Sequence, residues 1–468
     1  MKEKIIDLYI NNLYNISKEK HIKIYLIGGA VRDFFLGKDV RDYDFVAFGD
    51  IGEIVREFVA KLGCKYIKYD KKLVTYRIFC KLKTIDITKP RGKTIEEDLK
   101  KRDFTINSIA YDLDVNKIID PLDGRGDIQK RVVRANCDEC FINDPVRIVR
   151  AFRLAALNRF DIEPNTLKMA QRDIGLLKTT SKERITEELK KFFVLNNTFA
   201  YILLMDKAGV IDSIFEDLSL TNGCIQSEHH LFDVKTHSLS VYNFIEWSFN
   251  RLERILGKCY KKYLIHFTSN RDAVLISLKL AALFHDAGKP LLKTFTKEGK
   301  VKFPGHEHES SRLFLKYAKE YSFGKNITKL TRFFIEKHIE PSYIFALWNK
   351  GELSEDDITE FFINYGDNGV DLLFFALADT LAKGKISALK REKYVEFLRF
   401  MANRFYFTIK PKLRDKNLIN GLDILNTFEN IDKKSLNFLL KEVNKARING
   451  KINDKNEAMS LVKELILQ

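Results

Sequence analysis

Asp42 and Asp44 stand two residues apart in the alternating run RDYDFVAF, residues 41–48. In a strand, that spacing sends both carboxylates to one face. Two anions side by side are costly without a cation between them, and a divalent ion with oxygen ligands is their natural partner. Metal clamps of this kind serve enzymes that transfer phosphoryl or nucleotidyl groups. Asp86, in the later alternating run KTIDIT, can supply a third carboxylate. Upstream, Gly28-Gly29 closes the apolar run HIKIYLIGGA and precedes a short helix, VRDFFLG. In such a turn the backbone approaches a phosphate closely and helix amides attract it. Taken singly, the glycines also fit a plain tight turn and the aspartates a solvated edge strand.

A second set lies far downstream: His237, the doublet His285-Asp286, His306, His338 and Asp379. The chain has only nine histidines. The doublet ends the apolar helix LISLKLAALF and precedes the helix stop Ala287-Gly288-Lys289-Pro290. Imidazoles with carboxylates suit Ni²⁺, Mn²⁺, Fe²⁺ or Mg²⁺ held with positions left open for water. Any one of these histidines alone is more simply a hydrogen-bonded core or surface residue.

The elements that must position these groups change character along the chain. The first ~125 residues alternate strands and helices: strand 21–30, strand 41–48, helix 51–62, strand 73–80 and strand 82–88. From about residue 140, apolar residues recur at helical spacing, as in INDPVRIVRAFRLAAL, TSKERITEELKKFFVL, AVLISLKLAALFHD and SSRLFLKYAKEY. The fold class is therefore α+β, a small head of strands and helices followed by a long helical body. No internal repeat or low-complexity segment stands out.

At 468 residues and 45% hydrophobic content, the chain is long enough for roughly three or four domains. Eighty Lys and Arg against 64 Asp and Glu leave a net charge of +16, which favours a polyanionic partner such as nucleic acid or an anionic membrane surface. No apolar run reads as a membrane span and the N-terminal segment lacks the pattern of a signal peptide, so a cytoplasmic location is expected. Cys137 and Cys140 have no matching second pair for a zinc site. All six cysteines, Cys64, Cys80, Cys137, Cys140, Cys224 and Cys259, are expected as free thiols.

The ordered motifs resemble a known family. Gly28-Gly29-Ala30-Val31-Arg32-Asp33, Leu36-Gly37 and Asp42-x-Asp44 look like the nucleotidyltransferase signature of class II CCA-adding enzymes and bacterial poly(A) polymerases. The resemblance continues through Arg102-Asp103-Phe104-Thr105-Ile106-Asn107, through Asp120-Pro121 to Gly124, Gly126, Asp127 and Ile128, and through Asp144-Pro145-Val146-Arg147-Ile148-Val149-Arg150-Ala151 to Arg153. It then reaches Glu183-Arg184-Ile185 and Glu188-Leu189, across about 190 residues. It implies a polymerase-β-like head and a template-independent enzyme that adds C, and A where the loop allows, to the 3′ end of tRNA from CTP and ATP. Catalytic Asp42 and Asp44 would hold Mg²⁺ and activate the RNA 3′-hydroxyl, with Asp86 as a third catalytic carboxylate. Gly28, Gly29 and Arg32 would cradle the triphosphate, and Arg102 and Asp103 would meet phosphate and ribose, with Asn107 supporting their turn. Asp144 and Arg147, three apart on a helix, would read the base, with Arg150 and Arg153 extending a basic stripe.

The set His237, His285-Asp286, Asp379 resembles the HD phosphohydrolase superfamily, with His306 and His338 as the extra ligands of its more elaborate members. This implies a second divalent metal and a phosphatase or phosphodiesterase activity. His308 has no counterpart in that pattern. The implied domains are a head at 1–135, a helical neck at 136–220, an HD domain at 221–400 and a tRNA-gripping tail at 401–468. In that tail Arg404-Phe405-Tyr406 would supply phosphate contacts and base stacking.

Two departures matter. Asn143-Asp144 stands where the family often has Glu-Asp. Only ten residues, Ile87 to Glu96, separate Asp86 from Glu97-Asp98-Leu99, where many full CCA-adding members carry a longer flexible loop. That favours members that add only the two cytidines as much as full CCA addition. An A-adding enzyme, a poly(A) polymerase, and an HD hydrolase with an inactive RNA-binding head are the other readings.

Overall fold

The computed structural model describes residues 7–467 apart from Arg41, residues 70–73, Leu82, residues 227–230, Lys385 and Asn430. The strand starts read at Arg41, Leu73 and Leu82 thus lie outside the described residues. The described chain forms two compact units. One runs to Leu195 and includes Leu204–Ile214; the other holds Asn196–Leu203 and the chain from Phe215 on.

The first unit begins with α1 (Leu8–Glu19), β1 (Lys23–Ile27), α2 (Gly29–Phe35), β2 (Asp42–Phe48) and α3 (Ile51–Leu62). Then come β3 (Lys65–Tyr69), β4 (Thr75–Cys80), β5 (Lys83–Thr88), α4 (Ile95–Lys100), β6 (Ala110–Asp112) and β7 (Lys117–Ile119). The seven strands make one sheet in the order β3-β4-β5-β2-β1-β6-β7. It is mixed: β2 and β5 run parallel, and every other pairing is antiparallel. The parallel pair sets Asp44 directly beside Asp86, so three carboxylates from two strands share one face.

Helix α3 covers the opposite face. It starts at Asp50, whose carboxylate accepts from Gly52 N–H, ends at Gly63 in the left-handed region, and buries Ile51, Ile54, Val55 and Phe58. Strand β3, unread in the sequence, is exposed along its length, so it carries no core-facing alternation to reveal it. Cys64 and Cys80, expected as free thiols, are instead disulfide-bonded. Cys64 immediately precedes β3 and Cys80 ends the antiparallel β4, which brings their Cα atoms within 4.9 Å. The other four cysteines are free.

Beyond the sheet come α5 (Val146–Asn158) and α6 (Lys182–Phe193), packed together. The second unit is helical, built around α7 (Val234–Phe249), α8 (Tyr260–Phe284), α9 (His306–Glu320), α10 (Lys325–Lys337) and α11 (Asp367–Ala382). Residues 274–284 of α8 and 369–382 of α11 are buried all round, as core helices are. The last helices, Lys433–Ile448 and Lys455–Leu467, pack around a small core of Ile424, Leu439, Val443, Ala458 and Val462. Among the described residues no helix is long and apolar enough to cross a membrane.

Candidate active site and a second histidine–aspartate cluster

All thirteen residues given a catalytic or nucleotide-binding role in the sequence, from Gly28 to Arg153, line one cavity of about 880 Å³. Its first wall is the sheet. Asp42, Asp44 and Asp86 stand together there, beside the turn of Gly28. Gly28 has φ +68°, a conformation that glycine adopts without strain, and its position lies 3.5 Å from an Asp44 oxygen when a Cβ is added. Burial first, then the Asp86 carboxylate, push the Asp44 pKa up to about 6, against the pull of Arg102. Such crowded acids have the chemistry of a cation site, because a bound divalent ion removes the repulsion that raises the pKa. Arg77, on β4 directly opposite Asp86, donates two hydrogen bonds to it, 2.8 Å from Nε and 2.7 Å from Nη2.

The second wall is basic, and its side chains are wired together. Arg32 is buried and donates to Asn107 Oδ1 at 2.8 Å and to Asp33 at 2.9 Å. Asn107 in turn donates to Asp103 at 3.2 Å. Arg102 pairs with Asp98 at 2.7 Å. Burial works against the Asp103 carboxylate, yet Arg150, Arg147, Asn107 and the Phe104 N–H hold it below the usual range. Glu188 on α6 accepts from both Arg150 and Arg153 on α5. Those two guanidiniums outweigh its burial and keep it ionised to lower pH than usual.

Asp144 and Arg147 do not share a helix as expected. Asp144 is extended, at φ −157°, because a residue before proline is driven out of the α region; Pro145 then opens α5. The two still meet at 3.9 Å, and Arg184 pairs with the same Asp144 oxygen at 2.7 Å. The buried Oδ1 of Asp144 has no hydrogen-bond partner among the described residues. Arg184, Glu188, Lys191 and Arg91 also line the cavity, and the sequence reading assigned none of them a role.

Comparison with known proteins agrees with this geometry. Residues 24–134 match the poly(A) polymerase head domain, and residues 159–220 match the probable RNA and SrmB-binding site of polymerase A. The chain is 36% identical over 193 residues to a CC-adding tRNA nucleotidyltransferase of Geobacter sulfurreducens, covering 41% of this chain and 45% of that relative. It is 24% identical over 445 residues to the CC-adding enzyme of Thermus thermophilus, covering 93% and 92%. Over residues 24–134 the chain carries the head domain of the poly(A) polymerase family. Its fold also matches a CCA-adding enzyme solved with ATP, with a TM-score of 0.64, 22% identity, and coverage of 100% of this chain and 96% of that one. Members of this family use a divalent metal.

In this chain the short segment after Asp86 is a pinned turn. Arg91 N–H donates to Asp98 Oδ1 at 2.8 Å, Lys101 Nζ to the Arg91 carbonyl at 2.7 Å, and Lys93 N–H to Glu97 at 2.7 Å. Gly92 is required there, since a Cβ would lie 2.4 Å from that of Glu97.

The second unit brings all six residues of the other set together. His237, His285 and Asp379 form one group, and Asp286, His306 and His338 another, with ligand atoms within 4.8 Å inside each. Asp286 links them: Oδ2 lies 3.2 Å from His285 Nε2 and Oδ1 lies 3.2 Å from His306 Nε2. His285 Nε2, Asp286 Oδ1 and His306 Nε2 are buried without a hydrogen-bond partner among the described residues, an arrangement that fits ligands to a cation. Lys289 donates to Asp286 at 2.6 Å and to Gln226 at 2.7 Å. His308 is exposed and stands apart.

In the tail, Phe405 and Tyr406 were expected to stack on bases, but both are buried. Phe405 stacks on Phe362 and the Tyr406 hydroxyl donates to Asp367, so neither presents a face to RNA. Arg404 pairs with Glu355.

Proposed function

We propose that this chain transfers cytidylyl groups from CTP to the 3′ end of tRNA without a template, and stops after two cytidines. The observation that carries this reading is the meeting, in one cavity, of three sheet carboxylates and a cationic wall that ends in the Asp144–Arg147 pair. Asp42, Asp44 and Asp86 hold Mg²⁺, which when bound supplies Lewis-acid activation of the α-phosphate and lowers the pKa of the attacking hydroxyl. The RNA 3′-hydroxyl loses its proton to solvent, its oxygen forms a bond to the α-phosphorus, the bond from that phosphorus to the oxygen bridging to the β-phosphate breaks, and pyrophosphate leaves with that oxygen. Arg91, Arg102 and Lys191 spread the triphosphate charge. Asp103 accepts from a ribose hydroxyl, which selects ribonucleotides. Cytosine offers its N4 amino group as a donor, which the free Asp144 oxygen accepts, while Arg147 donates to the ring acceptors.

The pinned turn at 91–93 supports the stop at CC. A segment held by three hydrogen bonds has no slack to reshape the pocket for adenine. Incorporation of labelled CTP and ATP, singly and together, on tRNAs ending at the discriminator base, C and CC tests this. Two cytidines and no adenosine are expected. Adenosine added to the CC end would make it a CCA-adding enzyme, and a long tail from ATP alone a poly(A) polymerase. Unchanged incorporation by Asp42→Ala would remove the catalytic assignment altogether.

A second reading rests on the buried cluster. His237, His285, Asp286, His306, His338 and Asp379 hold one or two divalent metal ions, of the Ni²⁺, Mn²⁺, Fe²⁺ or Mg²⁺ type, for phosphoester hydrolysis. Metal analysis of the purified protein, with release of p-nitrophenol from a phosphodiester, checks it; a metal-free, inert cluster would overturn it.

A further inference from the structure

The carboxylate face of the sheet does not end at the carboxylates. By strand register, Asp44 stands beside Asp86, Asp86 beside Arg77, and Arg77 beside Ile67. A parallel row runs from Asp42 through Thr84 and Phe79 to Lys65, and another from Val46 through Thr88 and Thr75 to Tyr69. All these residues point to one face. Over β1, β2 and β6 that face is roofed by Ile95 and Leu99 of α4, packed on Tyr25, Ile27, Val46 and Ala110. Over β3 and β4 it is open: Ile67 is 49% exposed, Tyr69 44% and Phe79 44%. The opposite side of β4 is closed, with Ile78 and Cys80 buried.

Scattered apolar residues on a surface need no explanation, but a row of them beside a catalytic centre does. Strands β3 and β4, KYIKY and TYRIFC, contain three cations and no acid. Arg77 adds a planar guanidinium, 6.0 Å from the Tyr69 ring, and its bonds to Asp86 hold the patch level with the carboxylates. Phe79 is two strands from Asp42, about 10 Å at the usual strand spacing. Flat rings among cations, within a nucleotide or two of the reacting groups, have the chemistry of a stacking platform for single-stranded nucleic acid.

We infer that the open face of β3 and β4 receives the unpaired 3′-terminal nucleotides of the RNA, with bases stacked on Phe79 and Tyr69 and phosphates met by Lys65. The inference rests on the nucleotidyl-transfer reading and adds the surface that delivers the primer end. The test uses the full chain and two probes, an acceptor-stem RNA hairpin with a single-stranded 3′ extension ending in CC and the same hairpin made blunt. Wild type is expected to bind the extended probe more tightly. Phe79→Ala and Tyr69→Ala are each expected to lose about tenfold of that gain and to raise KM for RNA while KM for CTP holds. Phe79→Trp, which keeps a ring, is expected to restore both. Equal binding of the two probes by wild type, or wild-type affinity and KM in both alanine variants, would overturn the inference. A self-associating protein turned monomeric by Phe79→Ala, with RNA affinity unchanged, would overturn it in favour of an edge that pairs with a second copy. Overhang binding without any incorporation by wild type would count against nucleotidyl transfer and leave the platform standing.

Discussion

The sheet carboxylates and the buried histidine–aspartate cluster are built from similar ligands and solve opposite problems. Asp42, Asp44 and Asp86 lie on an accessible cavity wall, and burial with mutual repulsion drives Asp44 up to about 6. Asp286 and Asp379 are buried deeper, yet they ionise well below the usual carboxylate range. Burial pulls them upward too, but His285 and Lys289 outweigh it at Asp286, and Lys383 and His237 at Asp379. The difference is where the compensating cations sit. In the second unit they are resident and in direct contact; in the head, all but Arg77 stand on the far wall, across the space a nucleotide would fill. The open site leaves its charge to be balanced by what binds, whereas the closed one carries part of that balance in Lys289 and Lys383 and leaves the rest to a bound ion.

The sharpest way to break this contrast is Asp42→Ala. Nucleotide incorporation is expected to fall by about a thousandfold or more, with metal content of the second unit unchanged. The reciprocal change, Asp286→Asn, removes the carboxylate shared by both groups and is expected to empty the cluster of metal while incorporation persists. If it also stopped incorporation, the two sites would not be independent. Arg77→Ala leaves Asp86 without its two donors and is expected to raise the Mg²⁺ concentration needed for half-maximal rate by about 10–100-fold, with metal content of the second unit as the control.

The smallest effect is on stability in acid. Asp103 and Glu188 both have folded-state pKa values below their ordinary ones. The unfolded chain then binds more protons, so these groups stabilise the first unit at neutral pH, and that contribution disappears as pH falls from the ordinary carboxylate range through the folded values. Melting of the wild type below pH 5 should steepen its decline there, and Glu188→Gln should flatten the decline while lowering the neutral-pH midpoint. A parallel pH profile in the variant would show that Glu188 is not the group involved.

Some of this was open to a reader of the sequence. The Asp42–Asp44 spacing fixes a shared face because strand side chains repeat every two residues. The Gly28-Gly29 turn, the helix 51–62 and the long helical second half likewise follow from local pattern, and the six histidines and aspartates were recognisable as an ordered set. Other features depend on partners distant in the chain. Asp86 lies beside Asp44 only because β5 pairs parallel with β2, and Arg77 reaches Asp86 only because β4 runs back alongside. Glu188 lies 38 residues from the arginine it orients. Cys64 and Cys80 are scattered thiols until a hairpin sets them face to face. Phe405 and Tyr406 have the composition of an RNA contact, and packing against Phe362 and Asp367 hides them.

The sequence by itself thus determined the groups that do chemistry and the local elements that carry them, because backbone periodicity acts over a few residues. Only the tertiary structure decided which charges face each other, which rings stay open to solvent, and which acids are neutralised from within, because Coulomb and burial energies depend on distance in space and not on separation along the chain.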